Sequence, residues 1–413
     1  MEELVNPDPI EAALSACVRC GACMQVCPVY RQGRREELVA RGKLALLKAV
    51  GQGGLAADHR LADLLSRCLL CGRCNANCPS QVPAKEAFRA ARARLARSAG
   101  APVLERLVIE QALPHPRRLD LLARAAGATW PLLPALSGLR LRLPGLELAA
   151  HLPAMAAQPF HQRAPRRVAG PPGAPRLGLF VGCLANYLQP ALAERALALL
   201  ALVAEVVVLP QSCCGLPAVS AGLEDAARQL ARANLDHWRA AGVDKLVTFC
   251  GSCAYGLAKE LPRLLDHDPA ARRMAGSVLD ISQVLAGHPR RLAGLGRAAG
   301  AAGAAGPVAV HDPCHLKLDL GVWQEPRAML AAAGVELVEM AGADACCGGG
   351  GLFGLHHPAL SRGIFTPRRE AFLASGAAAL ATGCSGCFLQ WRTGLAPERA
   401  VVHPIELLNP SAA

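Results

Sequence analysis

The sequence predicts a multidomain fold of the α+β and α/β classes, in which a helical domain precedes two repeated α/β domains. Three observations carry this prediction. The 18 cysteines of the 413-residue chain fall into four groups. Helical sequence separates the first two groups, and the last two groups repeat one another. Within each repeat, apolar strand-like runs alternate with helical patterns, which is typical of parallel sheets.

The composition is that of a folded protein with a sizeable core, with 52% hydrophobic and 18% charged residues. The N-terminal stretch MEELVNPDPI resembles no secretory signal, and the longest uncharged runs are too short for a membrane span or are broken by prolines. We therefore predict a cytoplasmic protein, with a peripheral position on the inner face of the cell membrane as the alternative. In that compartment, many cysteines indicate metal ligation rather than disulfides.

The formal net charge of +12 has two interpretations. It indicates either a docking surface for an acidic partner or anionic lipid, or simply solvated arginines that reflect composition. Aromatic residues make up only 4% of the chain, so the aromatic and basic pattern of nucleic-acid binding is missing. We therefore predict no nucleic-acid partner.

The first two groups both follow the pattern C-x2-C-x2-C-x3-C-P, in CVRCGACMQVCP and CLLCGRCNANCP. This is the bacterial ferredoxin run, in which the fourth cysteine ligates the other cluster. The sequence thus predicts two cubane [4Fe–4S] sites, one held by Cys17, Cys20, Cys23 and Cys78, and the other by Cys68, Cys71, Cys74 and Cys27. Zinc is the alternative metal. A zinc site needs four ligands, however, and does not need a third cysteine at this two-residue spacing. The helical pattern EELVARGKLALLKAV between the motifs favours a helical two-cluster ferredoxin domain over residues 1–100.

The remaining ten cysteines form two sets of five, each with a vicinal CCG pair and a C-x2-C pair. The first set is Cys183, Cys213, Cys214, Cys250 and Cys253, and the second is Cys314, Cys346, Cys347, Cys384 and Cys387. The gaps are 29, 35 and 2 residues in the first set and 31, 36 and 2 in the second. An internal repeat of this quality predicts two cysteine-rich (CCG) domains, over residues 176–291 and 307–413.

Each cysteine cluster of these repeats follows an apolar run that reads as a strand, for example RLGLFVGC and residues 206–209 before the first CCG pair. Ligands bind beyond the carboxyl ends of parallel strands, so we expect five thiolates from three loops to converge at one edge of each repeat. Zinc or simple structural thiols in one repeat is the alternative.

Residues 101–175 are predicted as a helical connector and linker, with a proline- and glycine-rich linker at 151–176, and residues 292–306 as a second linker. A segment of the connector, residues 121–143, either lies on a membrane surface or packs as a helical hairpin.

Two ferredoxin runs followed by two CCG modules resemble the iron–sulfur subunit of glycolate oxidase. They also resemble the C subunit of anaerobic glycerol-3-phosphate dehydrogenase, the lactate-utilisation iron–sulfur protein and the D subunit of heterodisulfide reductase. RCGACMQVCPVY, followed by ARGKLALLK, is most similar to the 2-hydroxy-acid oxidase branch. The resemblance to heterodisulfide reductases implies a noncubane [4Fe–4S] cluster held by five thiolates in one or both CCG domains. Both modules keep all five cysteines, whereas the glycolate oxidase branch often lacks some of them.

The resemblance implies an iron–sulfur electron-transfer subunit of a flavin-dependent glycolate- or lactate-type dehydrogenase. We see no dinucleotide fingerprint, so the flavin is expected on an FAD-containing partner subunit, with a quinone or another carrier as acceptor. The alternative function is disulfide reduction by the noncubane clusters, and a zinc-stabilised scaffold is a third. His311 and His315 flank Cys314 and either tune a cluster, relay protons or serve as loop histidines. Gly348 to Gly351 are expected to let backbone approach a cluster.

Overall fold

The computed structural model of the chain describes residues 8–98, 100–129, 155–210, 212–296, 298, 306–396 and 398–410. A helical domain comes first and two α/β modules follow, as the sequence predicts. Among the described helices, none is long and apolar enough to cross a membrane. Residues 130–154 and most of the predicted linker at 292–306 lie outside the described residues, so much of the 121–143 segment does as well.

The helical domain holds both ferredoxin motifs in the short loops between its helices. The helices are α1 (Pro9–Ala16), α2 (Ala22–Val26), α3 (Pro28–Gly33), α4 (Ala40–Gly51), α5 (His59–Ser66), α6 (Arg73–Ala76) and α7 (Ala84–Ser98). Asp8 and Asp58 cap α1 and α5, because each carboxylate accepts a hydrogen bond from a free backbone N–H of the first turn. Leu44, Leu65 and Phe88 are buried in the core that α7 shares with α1, α4 and α5.

The connector begins with two helices, α8 (Val103–Gln111) and α9 (Pro116–Thr129). The segment predicted as a linker at 151–176 is partly ordered structure instead: it contains α10 (Phe160–Arg163) and strand β1 (Arg167–Val168). β1 pairs with the next module in antiparallel fashion, and Phe160 is 1% exposed in its core. The prolines and glycines of this segment indicate a linker. The segment is nevertheless partly ordered, because Phe160 is buried and β1 pairs with the edge of the sheet.

The first cysteine-rich module is a five-stranded sheet with strand order β1-β3-β2-β4-β5, parallel except for β1. Its strands after β1 are β2 (Arg176–Leu179), β3 (Glu205–Val208), β4 (Lys245–Thr248) and β5 (Val278–Asp280). Its helices are α11 (Cys183–Leu188), α12 (Pro190–Ala201), α13 (Leu216–Ala221), α14 (Glu224–Ala241), α15 (Gly251–Tyr255), α16 (Leu261–Leu264), α17 (Pro269–Ser277), α18 (Ile281–Ala286) and α19 (Pro289–Leu295). A π-helical turn, Gly256–Glu260, joins α15 to α16.

The second module is a parallel four-stranded sheet with strand order β7-β6-β8-β9. Its strands are β6 (Val308–His311), β7 (Leu337–Val338), β8 (Ala379–Thr382) and β9 (Ala400–Val402). Its helices are α20 (Gln324–Ala332), α21 (Phe353–His356), α22 (Pro358–Ala374) and α23 (Ser385–Leu395), with a π-helical turn at His315–Asp319 and a 3₁₀ turn at Pro404–Leu407.

The two modules are packed on one another through a common apolar core. Leu199 and Leu200 of α12 belong to the same buried cluster as Met329 and Leu330 of α20 and Leu407 near the C-terminus. In each module, the cysteines follow the carboxyl ends of β2, β3 and β4, or of β6, β7 and β8. The packing therefore brings the two cysteine-bearing edges to the same side of the molecule.

Candidate iron–sulfur sites

The first ferredoxin site combines cysteines of both motifs. One cavity is lined by Cys17, Cys20 and Cys23 of the first motif and by Cys78, the last cysteine of the second motif. Cys74 also lines this cavity. The four cysteines predicted to hold one cubane thus face one cavity. This placement is what the ligand exchange between the two motifs requires.

The second ferredoxin site has the complementary set. A neighbouring cavity is lined by Cys27, Cys68, Cys71 and Cys74. Two backbone N–H groups already point at its sulfurs: Tyr30 N lies 3.4 Å from Cys27 Sγ, and Leu70 N lies 3.5 Å from Cys68 Sγ. N–H groups directed at cysteine sulfur are one of the contacts that tune iron–sulfur clusters.

Both motifs curl in the same way. Arg19 and Gly21 have positive φ angles of 57° and 85°, and Leu70 and Gly72, at the same positions of the second motif, have 50° and 73°. Glycine adopts this conformation without steric cost. Arginine and leucine are strained in it, and the surrounding structure must offset that strain. The left-handed residues turn the chain tightly enough for three cysteines to face one point.

A buried cation beside the second site indicates that an anionic group belongs there. Lys43 is 1% exposed, and its Nζ donates hydrogen bonds to the carbonyl oxygens of Glu37 and Leu38, at 3.0 and 2.7 Å. Burial lowers the pKa of Lys43, and the thiolates of Cys68 and Cys27 oppose that change. A charged ammonium at such depth needs compensating negative charge. Cluster-bound thiolates supply it, so these residues fit an iron–sulfur cluster.

The ten cysteines of the two modules meet at a single cavity of about 180 Å³. Nine of them line it: Cys183, Cys214, Cys250, Cys253, Cys314, Cys346, Cys347, Cys384 and Cys387. The tenth, Cys213, lies beside it, with its Sγ 3.8 Å from Cys183 Sγ. The sequence predicts one site at each repeat edge, and the structure places the two sites next to one another.

Contacts cross between the two five-cysteine sets. Ser385 N of the second module lies 3.4 Å from Cys250 Sγ of the first. In return, Ser252 Oγ of the first module lies 3.2 Å from Cys384 Sγ of the second. The C-x2-C segments of the two repeats therefore face each other across the cavity.

The second ferredoxin site reaches the same cavity. Cys71 lines both cavities, and burial together with the nearby Cys314 thiolate raises the pKa of the Cys71 thiol well above its ordinary value. Gly350 makes this approach possible, because a Cβ at that position would lie 3.2 Å from the carbonyl oxygen of Leu69. The glycine run predicted to permit a close backbone approach thus lies against the second ferredoxin motif.

Burial affects the thiols of the second module unequally: the pKa values of Cys314 and Cys346 are raised, whereas hydrogen bonds from neighbouring groups lower those of Cys347 and Cys384. Burial raises the pKa of Cys314 and of Cys346, and in both cases a neighbouring thiolate adds to the rise. Such thiols stay protonated at neutral pH unless a metal displaces the proton. Gly348 N lies 3.4 Å from Cys346 Sγ, where it can donate to a sulfur.

The two histidines that flank Cys314 in the sequence are both in the interior. His315 stacks on Tyr255, with ring centroids 4.4 Å apart, and its Nδ1 lies 3.3 Å from Ser252 Oγ. Burial lowers the pKa of His315 to about 3 and that of His311 to about 4. Both rings are therefore neutral at pH 7.

A further cavity of about 540 Å³ lies on the other side of Cys68. Its apolar lining includes Leu95, Leu352 and Phe353. His357, also in the lining, places its Nε2 2.7 Å from Ser66 Oγ. The sequence carries no motif for this cavity, because its walls come from separate elements that include α5, α7, the start of α8, the end of α13 and α21. For the same reason, sequence reasoning missed His357. It missed Lys43 because a lysine within a helical pattern gives no sign that it is buried.

Comparisons with known proteins agree with this arrangement. The chain matches the 4Fe-4S dicluster domain over residues 13–82 and the cysteine-rich domain over residues 177–258 and 308–392. These matches indicate iron–sulfur binding. The probable glycolate oxidase iron–sulfur subunit of Bacillus subtilis is 30% identical over 97% of this chain and 95% of its own length. The glycolate oxidase iron–sulfur subunit of Escherichia coli is 27% identical over 97% and 94%. The D subunit of the dihydromethanophenazine:CoB–CoM heterodisulfide reductase of Methanosarcina barkeri is 25% identical over 91% and 87%.

Proposed function

We propose an electron-transfer function from one premise: the chain belongs to the family of glycolate oxidase iron–sulfur subunits. In this proposal, it is the iron–sulfur subunit of a flavin-dependent dehydrogenase complex for a 2-hydroxy acid of the glycolate or lactate type. Oxidation of the hydroxy acid transfers a hydride, with two electrons, to FAD on a partner subunit. The electrons then pass through this chain toward a quinone or another carrier.

The proposed cofactors are two cubane [4Fe–4S] clusters and noncubane [4Fe–4S] clusters in the two cysteine-rich modules. One cubane would be held by Cys17, Cys20, Cys23 and Cys78, and the other by Cys27, Cys68, Cys71 and Cys74. The noncubane clusters would each be held by one five-cysteine set. When bound, such clusters accept and release one electron at a time.

The observation that carries the proposal is the continuity of the four cysteine sites. Cys74 lines both ferredoxin cavities, and Cys71 lines the second ferredoxin cavity and the shared cavity of the modules. Within the shared cavity, Ser252 and Ser385 link the two five-cysteine sets. These residues would therefore hold four redox sites in one unbroken series, which suits a protein that conducts electrons.

Buried cations along this series would stabilise the added electrons. Lys43 lies beside the second ferredoxin site. Lys85 and Arg89 line the shared cavity, where Asp319 and Glu260 balance their charges. Arg92 donates hydrogen bonds to the carbonyl oxygens of Leu65 and Cys68. Positive charge near a redox centre favours its reduced, more negative state, and the effect is strong where water is excluded.

We place the contact with the flavoprotein at the loop of the first motif. Cys20 is exposed, and the neighbouring Val18 is 69% exposed. An exposed apolar side chain beside a cluster ligand is suited to a protein interface that must bring a flavin close. The other sites are more deeply enclosed and offer a large partner less access.

We place the acceptor in the 540 Å³ cavity beside Cys68, where a quinone would fit. Its volume lies within the usual range for small-molecule sites, and its lining combines apolar side chains with polar and charged ones, which suits a flat ring with carbonyl groups. A quinone takes up two electrons and two protons to form a hydroquinone. His357 and Ser66 form a hydrogen-bonded pair at the cavity that can donate to a quinone oxygen.

The test replaces Cys71 by serine in the full complex with its flavoprotein. We expect reduction of the quinone to fall by at least about 100-fold, because Cys71 is a proposed ligand of the cubane that lies next to the quinone cavity. Oxidation of the hydroxy acid with an artificial dye, which accepts electrons from the flavin, should stay near the wild-type rate. Arg60→Ala, at an exposed position of α5, is the control and should change neither rate. Unchanged quinone reduction in Cys71→Ser would contradict the proposal.

A second candidate function is disulfide reduction in the shared cavity. The observation in its favour is the chain of hydrogen bonds from the neutral ring of His315 through Ser252 to Cys384, which could relay a proton from solvent to a thiolate released between the two sets. Cleavage of a disulfide consumes two electrons and two protons and yields two thiols. Reduced protein without its flavoprotein should then turn over a disulfide substrate with an artificial electron donor. No turnover across a broad panel of disulfides would exclude this candidate.

A further inference from the structure

The two cysteine-rich modules differ at one buried position beside their cysteines. Three residues before its first cysteine, the first module has Phe180 and the second has His311. Both residues lie at the carboxyl end of the strand that leads to that cysteine, after β2 in one module and at the end of β6 in the other. The repeat thus replaces an apolar ring by an imidazole at equivalent places.

The imidazole of His311 faces two cysteines of the second set. The side chain is 2% exposed, and its ligand nitrogen and the Sγ atoms of Cys347 and Cys387 all lie within 4.8 Å of one another. Nδ1 lies 3.1 Å from Thr382 Oγ1 on the neighbouring strand β8. Nε2 is buried and makes no hydrogen bond of ordinary geometry with the described residues, although the backbone of Ala345 lies close to the ring. A buried nitrogen without a partner is available to a ligand, an ion or a water molecule.

The first module shows what the same framework looks like without the histidine. Phe180 packs in the apolar cluster that contains Cys214 and Cys253, the counterparts of Cys347 and Cys387. Thr248 occupies the place of Thr382, two residues before the third loop's first cysteine. Its Oγ1 is buried and, within the described part of the chain, makes no hydrogen bond. The threonine is thus common to both modules, but only the second uses it to hold a ring.

We propose that Nε2 of His311 is a sixth ligand of the iron centre in the second module. This inference rests on the proposed occupancy of that module by an iron–sulfur cluster. Imidazole nitrogen and thiolate sulfur are both suitable ligands for iron. In the neutral ring, Nδ1–H donates to Thr382 Oγ1, which fixes the tautomer and leaves the lone pair of Nε2 directed at the metal. Thr382 is therefore a positioning residue, and the ligand set is five sulfurs and one nitrogen.

The nitrogen ligand would make the two module centres unequal. Both centres would keep five thiolates, so the nitrogen of His311 would be an additional electron donor to the second centre alone and would favour its oxidised state. The centre of the first module, which has no such nitrogen, would then have the higher reduction potential. The second module, which shares its cavity with Cys71, would hold an electron less tightly than the first.

The test uses the full chain, purified without oxygen and labelled with ¹⁵N-histidine. Iron is counted first, and pulsed EPR then measures the nitrogen coupling to the paramagnetic module centres. We expect one strongly coupled histidine nitrogen in the wild type and its loss in His311→Phe, with a shift of one module's reduction potential to a higher value. His311→Asn, which is too short to reach the iron, serves if His311→Phe does not fold. Phe180→His is the matched reciprocal variant and should introduce a second coupled nitrogen beside Thr248.

The outcomes separate this inference from the proposed function. About sixteen irons per chain without a directly coupled nitrogen, or with a coupling that survives in His311→Phe, would overturn the ligand assignment and leave the electron-transfer proposal intact. A coupling of the small size typical of a distant hydrogen bond would also overturn it. About eight irons with only cubane signals would mean that His311 faces no iron, and the inference would fail while a two-cluster conductor remained.

Discussion

Arg89 of the helical domain and Glu260 of the first cysteine-rich module form a buried ion pair, with Nη1 2.5 Å from Oε1. The same Oε1 accepts a hydrogen bond from the Tyr255 hydroxyl at 2.6 Å, and Arg263 Nε lies 2.9 Å from Oε2. Nearby, Lys85 pairs with Asp319 of the second module at 2.7 Å. Helix α7 is thereby attached to both modules, which holds Cys71 against their shared cavity.

Removing the cation of the buried pair should destabilise the protein. Arg89→Met leaves the Glu260 carboxylate without one of its two arginines, at a position where its side chain is 2% exposed. Loss of one partner of a buried pair typically costs about 3–5 kcal/mol. The measurement is anaerobic unfolding in denaturant, followed by tryptophan fluorescence. Arg89→Met with Glu260→Gln should recover part of the loss, and an Arg89→Met protein as stable as Arg60→Ala would contradict the interface.

Glu260 should also contribute to loss of stability in acid. Burial acts to raise the pKa of this carboxyl, but Arg89 and Arg263 outweigh it and hold the pKa below its usual value. The unfolded-state pKa of glutamate is about 4.3, so the stabilisation is present above that pH and is lost as pH falls through the lower folded-state pKa. Thermal unfolding between pH 6 and about pH 3 should therefore show a steeper decline in the wild type than in Glu260→Gln. Parallel profiles would mean that the pair does not titrate with folding.

The exchange of fourth ligands makes Cys78 a sharp test of the ferredoxin sites. Cys78 belongs to the second motif but lines the cavity of Cys17, Cys20 and Cys23. Cys78→Ala should therefore give the same missing EPR signal as Cys23→Ala, with up to about four irons lost. Cys27→Ala should instead perturb the other cubane. Loss of the same cluster in Cys78→Ala and Cys68→Ala would show that each motif holds its own cluster.

The proposed acceptor cavity predicts a selective effect of His357. His357→Phe keeps a ring but loses the hydrogen bond with Ser66 and the donor to a quinone oxygen. A lost hydrogen bond of about 0.5–1.5 kcal/mol should raise KM for the quinone by up to about tenfold. Dye-linked oxidation of the hydroxy acid should not change. His288→Phe, at an exposed histidine, is the control. An equal effect of both variants on KM for the quinone would contradict the placement of the quinone in this cavity.

Cysteine spacing alone predicts much of this architecture. The repeated gaps identify the two modules, and the apolar runs before their cysteines correspond to β2, β3, β4, β6 and β8, with the strand predicted at 206–209 found at Glu205–Val208. The match between strand and cysteine is less close for the second CCG pair, because β7 ends at Val338, several residues before Cys346. Strands β1, β5 and β9 have only two or three residues each, too few to give a clear pattern.

The relation between the sites could not be predicted, because it depends on packing between distant segments. Contacts such as Arg89 with Glu260, or Ser252 with Cys384, join residues 171 and 132 positions apart. No local pattern encodes such pairs. In the sequence, His311 and His315 cannot be told apart, because both lie close to Cys314. In the structure, His311 contacts Thr382 and faces two cysteines, whereas His315 contacts Tyr255 and Ser252. Lys43 is likewise an ordinary helical lysine in the sequence and a buried cation beside thiolates in the fold.

The most direct test of electron transfer through this chain is a single turnover. The oxidised complex with its flavoprotein is mixed with the 2-hydroxy acid and a quinone, frozen at intervals and examined by EPR. We predict that iron–sulfur signals of this chain appear before hydroquinone and decay as it forms, and that Cys71→Ser interrupts this sequence. Formation of hydroquinone at the full rate while the iron–sulfur signals stay unchanged would contradict the account.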